Sequence, residues 1–308
     1  MSVVENQKLE LAYENEMAHR YNRDYHEPPI MKMHAENFVK YISSVVRPGD
    51  RVLDLGCASA SLWDLFKKNF DESVSLVGVD ISEKMLDEAR KHHPDGDFRI
   101  GEMTAIPCES GAFDVVIVSS AFHHIADSVL PLALAEINRV LDEHGTLIGR
   151  EPVVLGRLGD RGGWISAALM SMRHAAYRLT HTREYPEPDP GPDHHAYDPK
   201  FFLGAVGNHL KIIKIDFRNP VSLFFSRIRH PIIANIAMLL DQIVGHKEGQ
   251  EVCYVAGKNY YTHEDAKSMI AKALEENHIG DMTRFLAYLD EANRVIARIL
   301  EESQKNEK

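Results

Sequence analysis

Apolar runs rich in β-branched residues recur between helical patterns from about residue 51 to residue 150, and this alternation restricts the fold more than any other property of the chain. Val52–Leu55, Leu76–Val79, Val115–Val118 and Leu147–Ile148 are the strand cores. Between them, "SEKMLDEARKHH" opens with Ser82, a good N-cap, and with Glu83 near the positive end of a helix. "SVLPLALAEINRVLDEHG" places Leu130, Leu134, Ile137 and Leu141 on one face and predicts a stop at Gly145. Such alternation implies a parallel sheet covered on both faces, with a ligand at the carboxyl ends of the strands.

Two further strands follow much later, "LKIIKIDF" (Leu210–Phe217) and "EVCYVAG" (Glu251–Gly257). Before them lies an insertion whose middle, "HTREYPEPDPGPDHHAYDP", is dense in Pro and Asp and therefore irregular. In the tail, Phe285, Leu289, Ala292, Ile296 and Ile299 form a helical stripe. It packs on the chain's own core or pairs with a second subunit as a homodimer. The divisions are 1–48, an N-terminal helical lid; 49–153, the core; 154–209, an insertion capping the acceptor site; 210–260, the last strands; and 261–308, a helical extension.

A net charge of −11 over 308 residues argues against a broad nucleic-acid surface, which needs clustered Lys and Arg. Cys57, Cys108 and Cys253 lie far apart without CxxC spacing and read as reduced thiols of a cytoplasmic protein. The acidic start "MSVVENQKLELAYENE" has no apolar run of the secretory kind. The longest apolar segment, "PIIANIAMLL" (Pro231–Leu240), is far short of the roughly 20 residues a membrane span needs. It reads as a core or lid helix, and no stable membrane insertion is expected.

"RVLDLGCASASLW" is the strand–glycine–helix turn where nucleotide-like ligands bind. A dinucleotide turn needs three glycines so that bare backbone can approach a pyrophosphate, but here Gly56 is followed by Ala58 and Ser61. Asp54, just before the turn, is a poor neighbour for a diphosphate and a good one for positive groups. A ligand with a ribose, a cation and no phosphate suits these residues. In this the chain resembles the class I S-adenosylmethionine (SAM)-dependent methyltransferases of the small-molecule type. The resemblance runs from about Arg51 to Val153 through "VLDLGCASA", "LVGVDIS", "DFRIGEMTAIP", "FDVVIVSSAFHHI" and "INRVLDEHGTLIGREP".

The resemblance implies an α/β fold: a Rossmann-like, doubly wound, seven-stranded and mostly parallel sheet. It also implies a set of cofactor contacts. Gly56, with Cys57 and Ala58 in the same turn, lets the backbone pass close to the methionyl part, and Asp54 sits beneath the amino-acid end. Asp80 accepts from the ribose hydroxyls and Ile81 packs on the adenine. Glu102 takes the adenine amino group, the Met103 backbone lies beside the ring, and Ser119 lines the methionyl side. Ala58 and Ala60 stand where the family usually has glycine and are tolerated only if their backbone keeps φ < 0.

Methyl transfer mainly requires an acceptor held in line in a dry pocket, with a base if the acceptor is a hydroxyl. His123 and His124, directly after the fourth strand, are the candidate bases, with His194 and His195 as others. Adjacent histidines lack the i, i+4 spacing of helical ligands, so no metal is expected. Tyr21 is the candidate lid contact. Trp164, Met170, Met172, His174 and Tyr177 form the other wall, and Arg150 and Glu151 face the acceptor. The expected function is methylation of a small or medium organic acceptor, such as a secondary metabolite or glycolipid precursor, at oxygen, with nitrogen and carbon as alternatives. A nicotinamide-dependent oxidoreductase and a non-catalytic SAM-binding protein remain the competing classes.

Overall fold

Seven strands form one sheet: β1 (Arg51–Leu55), β2 (Ser75–Asp80), β3 (Asp97–Ile100), β4 (Phe113–Ser119), β5 (Leu141–Pro152), β6 (Lys211–Arg218) and β7 (Glu251–Gly257). The computed structural model describes residues 3–70, 73–154, 195–226, 228–244 and 249–258, with residues 171, 172, 175 and 178. The strand order is β3-β2-β1-β4-β5-β7-β6, with β1 to β5 parallel and β7 antiparallel to both of its neighbours. This is the Rossmann-like, mostly parallel sheet that the alternation implies.

The side-chain pattern explains why both faces are covered. Leu53, Leu55, Val116 and Val118 point into one cluster with α5 (Leu130–Val140) and α6 (Pro199–His209). Val52, Val115 and Ile117 point into the other with α2 (Pro29–Ile42) and α3 (Trp63–Phe70). Buried on both sides, the strands are apolar almost throughout. The Ser82 hydroxyl caps α4 (Glu83–His92) by accepting from the Met85 N–H at 3.2 Å.

Three sequence expectations change. α5 stops at Val140, five residues before Gly145, because Leu141 turns to extended backbone and pairs with Phe113. The end of the insertion belongs to the core: Tyr197 bridges Val153, and Phe202, Leu203 and Val206 of α6 are fully buried against the sheet. α7 (Pro231–Val244) buries only one face, through Ala234 and Ala237 against Ile30, Val221 and Phe225. Its Ile232, Ile236, Leu239 and Ile243 are exposed. Among the described residues no helix is long and apolar enough to cross a membrane. Trp164, Met170, His174, Tyr177, His194 and the stripe from Phe285 to Ile299 lie outside the described residues.

The N-terminal segment crosses the carboxyl end of the sheet. α1 (Val3–Met17) seats Tyr13 and Met17 on Met85 of α4, with Ala18, Tyr21 and Ala58 alongside. Polar ties fix the crossing: the Ser82 hydroxyl donates to Asn15 at 2.9 Å and that of Ser59 to Asn22 at 2.5 Å, while Ser61 bonds the His26 ring.

Candidate cofactor and acceptor site

β1 and β4 are neighbours whose chains leave in opposite directions, to β2 and to β5, which opens a crevice at their carboxyl ends. The turn after β1 lines it. Gly56 has φ +73°, and a Cβ there would lie 2.6 Å from that of Ala121 and 3.1 Å from the Met103 methyl. Glycine is therefore required twice, by conformation and by space. Ala58 and Ala60 correct the sequence reading: their φ values are 46° and 55°, in the left-handed region and not below zero. Two bonds hold them there. Ala58 N–H donates to Asp80 Oδ2 at 2.8 Å, and Ala60 N–H to the Cys57 carbonyl at 2.8 Å. Ser120, just after β4, shares this conformation with φ 55°, so strained backbone gathers at the crevice.

Asp80 is buried, with its other oxygen accepting from the Ser82 N–H at 2.9 Å. A carboxylate has about four acceptor positions, so capacity remains for a diol. Burial pushes its pKa up, making it a weaker acid, and the Ser82 and Ala58 N–H groups oppose that shift. Asp54 is buried too and accepts from the Trp63 indole at 2.9 Å. Burial raises it to about 6, the indole working against burial and Asp80 with it.

Two cavities meet at this turn, with volumes of about 810 and 960 Å³ counting space open to solvent. The first is lined by Asp80, Ile81, Glu102 and Met103, the adenosine set named from the sequence. The second is lined by Asp54, Cys57, Ser119, His123 and Arg150, the methionyl and acceptor set. Gly56, Ala58, Tyr21, Glu14, Ser120 and His124 line both and mark the waist. Burial raises the Tyr21 phenol and the Cys57 thiol, so both stay neutral. A waist of bare backbone, a carboxylate with spare acceptor positions and a second carboxylate at the far end fit SAM; nothing in the two linings cradles a diphosphate.

The two histidines stand side by side, His124 at the waist and His123 in the second cavity, with ring centres 4.1 Å apart. His123 Nδ1 lies 3.0 Å from Glu151 Oε2. Glu151 is fully buried, and its oxygens also accept from the N–H groups of Ala121, Phe122 and His123. Burial lifts it to about 7, those N–H groups opposing. His124 Nδ1 lies 2.6 Å from Glu10 Oε1 and 3.8 Å from Glu14 Oε1. Burial pushes Glu14 up to about 8, with Asp80 and Glu10 adding to the shift and His124 opposing it. Glu10, Glu14 and His124 offer ligand atoms all within 4.8 Å of one another.

Sequence reasoning missed Glu10 and Glu14. Their i, i+4 spacing in "LELAYENE" puts them on one helix face, the only signal available. Ser119 Oγ accepts from Arg150 Nε at 2.9 Å, and Arg150 also pairs with Glu251 at 3.7 Å. His195 does not reach the waist by its ring, which pairs with Asp127 at 3.0 Å, although its N–H donates to the His123 carbonyl. Glu102 and Met172 are exposed, with Glu102 still at the cavity edge.

The fold and this crevice are of the kind seen in the class I methyltransferases, whose cofactor is SAM. Residues 52–145 match the family described as "Methyltransferase domain". The demethylmenaquinone methyltransferase of Beutenbergia cavernae is 35% identical over 109 residues, 34% of this chain and 42% of that protein. The juvenile hormone acid O-methyltransferase of Bombyx mori is 38% identical over 119 residues, 34% of this chain and 40% of that protein. The chain thus spans less than half of these curated relatives. A geranyl diphosphate methyltransferase solved with GPP and sinefungin shares the fold at TM-score 0.50 and 15% identity, over 74% of this chain and 78% of that one.

Proposed function

We propose that the protein is a SAM-dependent methyltransferase acting on an oxygen of a small or medium-sized organic acceptor. The observation that carries this reading is the pair of histidines at and beside the waist, each with Nδ1 on a buried carboxylate. A neutral imidazole that donates from Nδ1 has Nε2 as its basic nitrogen, which is what an acceptor hydroxyl needs. The silk-moth relative, named for methylating an acid oxygen, supports the same choice of atom.

When bound, SAM supplies a methyl group on a sulfonium, which the acceptor takes while the bonding pair stays on sulfur. The chain's residues do the rest. Asp80 holds the sugar, Ile81 and Met103 flank the base, Gly56 admits the methionyl chain, and Asp54 sits at its cationic end. Tyr21 of the N-terminal segment, which lines both cavities, helps keep water from the waist, where developing charge is then poorly screened. His123 and His124 receive the acceptor's proton.

Calorimetry with S-adenosylhomocysteine and with NADH tests the cofactor, and micromolar NADH binding without S-adenosylhomocysteine binding overturns the reading. Incubation with deuteriomethyl SAM and pooled hydroxylated and carboxylic metabolites, read by mass spectrometry, tests the acceptor. Undiminished turnover of a hydroxylated acceptor in the double variant His123→Asn/His124→Asn removes the two histidines as bases.

A further inference from the structure

We propose that Glu10, carried on the first helix, is the positioning residue of His124, so that this base is complete only while the helix is docked. The inference rests on the methyl transfer to oxygen argued above. α1 docks through Tyr13 and Met17 on Met85 and through Asn15 on Ser82, and none of these contacts uses Glu10. Yet Glu10 is only 7% exposed. A buried carboxylate costs several kcal/mol unless paired, and a leucine at this position would serve packing better. One oxygen bonds His124 Nδ1 at 2.6 Å; the other, Oε2, is buried without a hydrogen-bond partner. The partner is 114 residues away in the chain, on the turn that follows β4. The first helix therefore brings charge to the site as well as cover.

The charged groups facing His124 are Glu10 and Glu14 from α1, Asp80 at the end of β2 and Glu151 at the end of β5, with the His123 ring beside it. Burial alone would make His124 a weaker base. The bond to Glu10 and the charges of Glu10, Glu14 and Glu151 outweigh it and leave the ring more basic than an ordinary histidine. As the acceptor oxygen bonds to the methyl carbon, its proton moves to His124 Nε2. The resulting imidazolium lies against Glu10 and Glu14 until the proton passes to solvent. No oxidant or further reactant enters. The same three side chains could instead take a divalent cation, but the ion would have to displace the Nδ1–Glu10 bond, and the experiment separates the two.

The test uses the full-length protein with ¹⁵N-labelled histidine, followed by NMR across pH with and without S-adenosylhomocysteine. In the wild type, neutral His124 is the Nδ1–H tautomer and titrates above an ordinary histidine. Glu10→Gln lowers its midpoint, Glu10→Ala also releases the tautomer, and His123 is unmoved in both. With an acceptor in hand, Glu10→Gln lowers kcat about tenfold with KM unchanged and moves the acidic limb of the pH profile with the His124 midpoint. Glu10→Asp, which keeps the charge but shortens the reach, gives an intermediate result and carries the test if Glu10→Ala does not fold. An unmoved His124 signal in Glu10→Gln overturns the proposal. So does stoichiometric Zn²⁺ or Mn²⁺ binding by the wild type that Glu10→Gln abolishes. If the wild type fails to bind S-adenosylhomocysteine, the methyltransferase reading falls, while the tautomer measurement still decides whether Glu10 positions His124.

Discussion

His123 and His124 are neighbours in the chain, and both tie Nδ1 to a carboxylate, but the carboxylates come from opposite halves of the molecule. Glu151 ends a central strand and is locked by three backbone N–H groups of the turn it supports. Glu10 arrives on a helix that crosses the site from outside, and its carboxylate bonds His124. The first pair is part of the core and persists whether or not the lid is closed. On the proposal above, the second exists only while α1 is docked. One short sequence thus carries a permanent histidine and a conditional one, and the difference between them can be measured.

The largest expected effect separates the pairs by stability. Glu151→Ala strips three buried N–H groups and the His123 ring of their acceptor, and should cost about 3–5 kcal/mol in denaturant unfolding. Glu10→Ala should cost no more than about 1 kcal/mol, because its loss is confined to the lid. Equal losses would mean that α1 is as integral to the fold as β5, and the contrast would be gone.

Asp80 lies on the permanent side, held by the N–H groups of Ala58 and Ser82. Asp80→Ala should weaken S-adenosylhomocysteine binding at least tenfold in calorimetry, about 1.5–3 kcal/mol for a hydrogen bond to a charged acceptor. Unchanged affinity would remove Asp80 from the site and leave the adenosine side of the waist without its anchor.

What the sequence made legible divides along the same line. β1, β2 and β4 announce themselves by β-branched runs, and Asp54 and Asp80 can be placed because each lies at or next to the end of a strand. Ser82 signals the start of α4 by side-chain chemistry alone. These are local signals. Glu10 and Glu14 had none beyond their spacing, because their partner is fixed only when a distant helix docks. The helix now bounded by Pro199 and His209 was read as part of a cap, since a Pro-rich approach hides that Phe202, Leu203 and Val206 face the sheet. The left-handed backbone of Ala58 and Ala60 was misjudged because propensity argues against it, while the Asp80 bond and the tight turn impose it.

The lid half carries its own pH dependence. Burial raises Glu14 from an ordinary value near 4.5 to about 8, so the docked helix binds a proton that the undocked helix releases. Linkage then gives a docking contribution fully present below pH about 4.5 and lost as pH rises through about 8. Spin labels at Lys8 of α1 and Lys84 of α4, without cofactor, should show one distance at low pH that broadens across this window. Glu14→Gln should weaken that pH dependence, leaving the part that His124 contributes through Glu10. A wild-type distribution that tightens with rising pH would reverse the sign and place Glu14 among groups stabilised by ionisation.

The smallest effect tests how the permanent half tolerates its strained turn. An L-residue in the left-handed region costs about 1–2 kcal/mol, of which glycine's greater freedom in the unfolded chain returns about 0.4–1. Ala58 is half-buried at the lid contact, so Ala58→Gly should stabilise by about 0.5–1 kcal/mol. The Ala60 methyl is fully buried among Cys57, Trp63 and Leu86, and deleting it forfeits about 0.8 kcal/mol of burial. Ala60→Gly should therefore be close to neutral in the same denaturant titration. Two alanines with nearly the same φ should thus answer differently, because one methyl faces the N-terminal segment and the other the core.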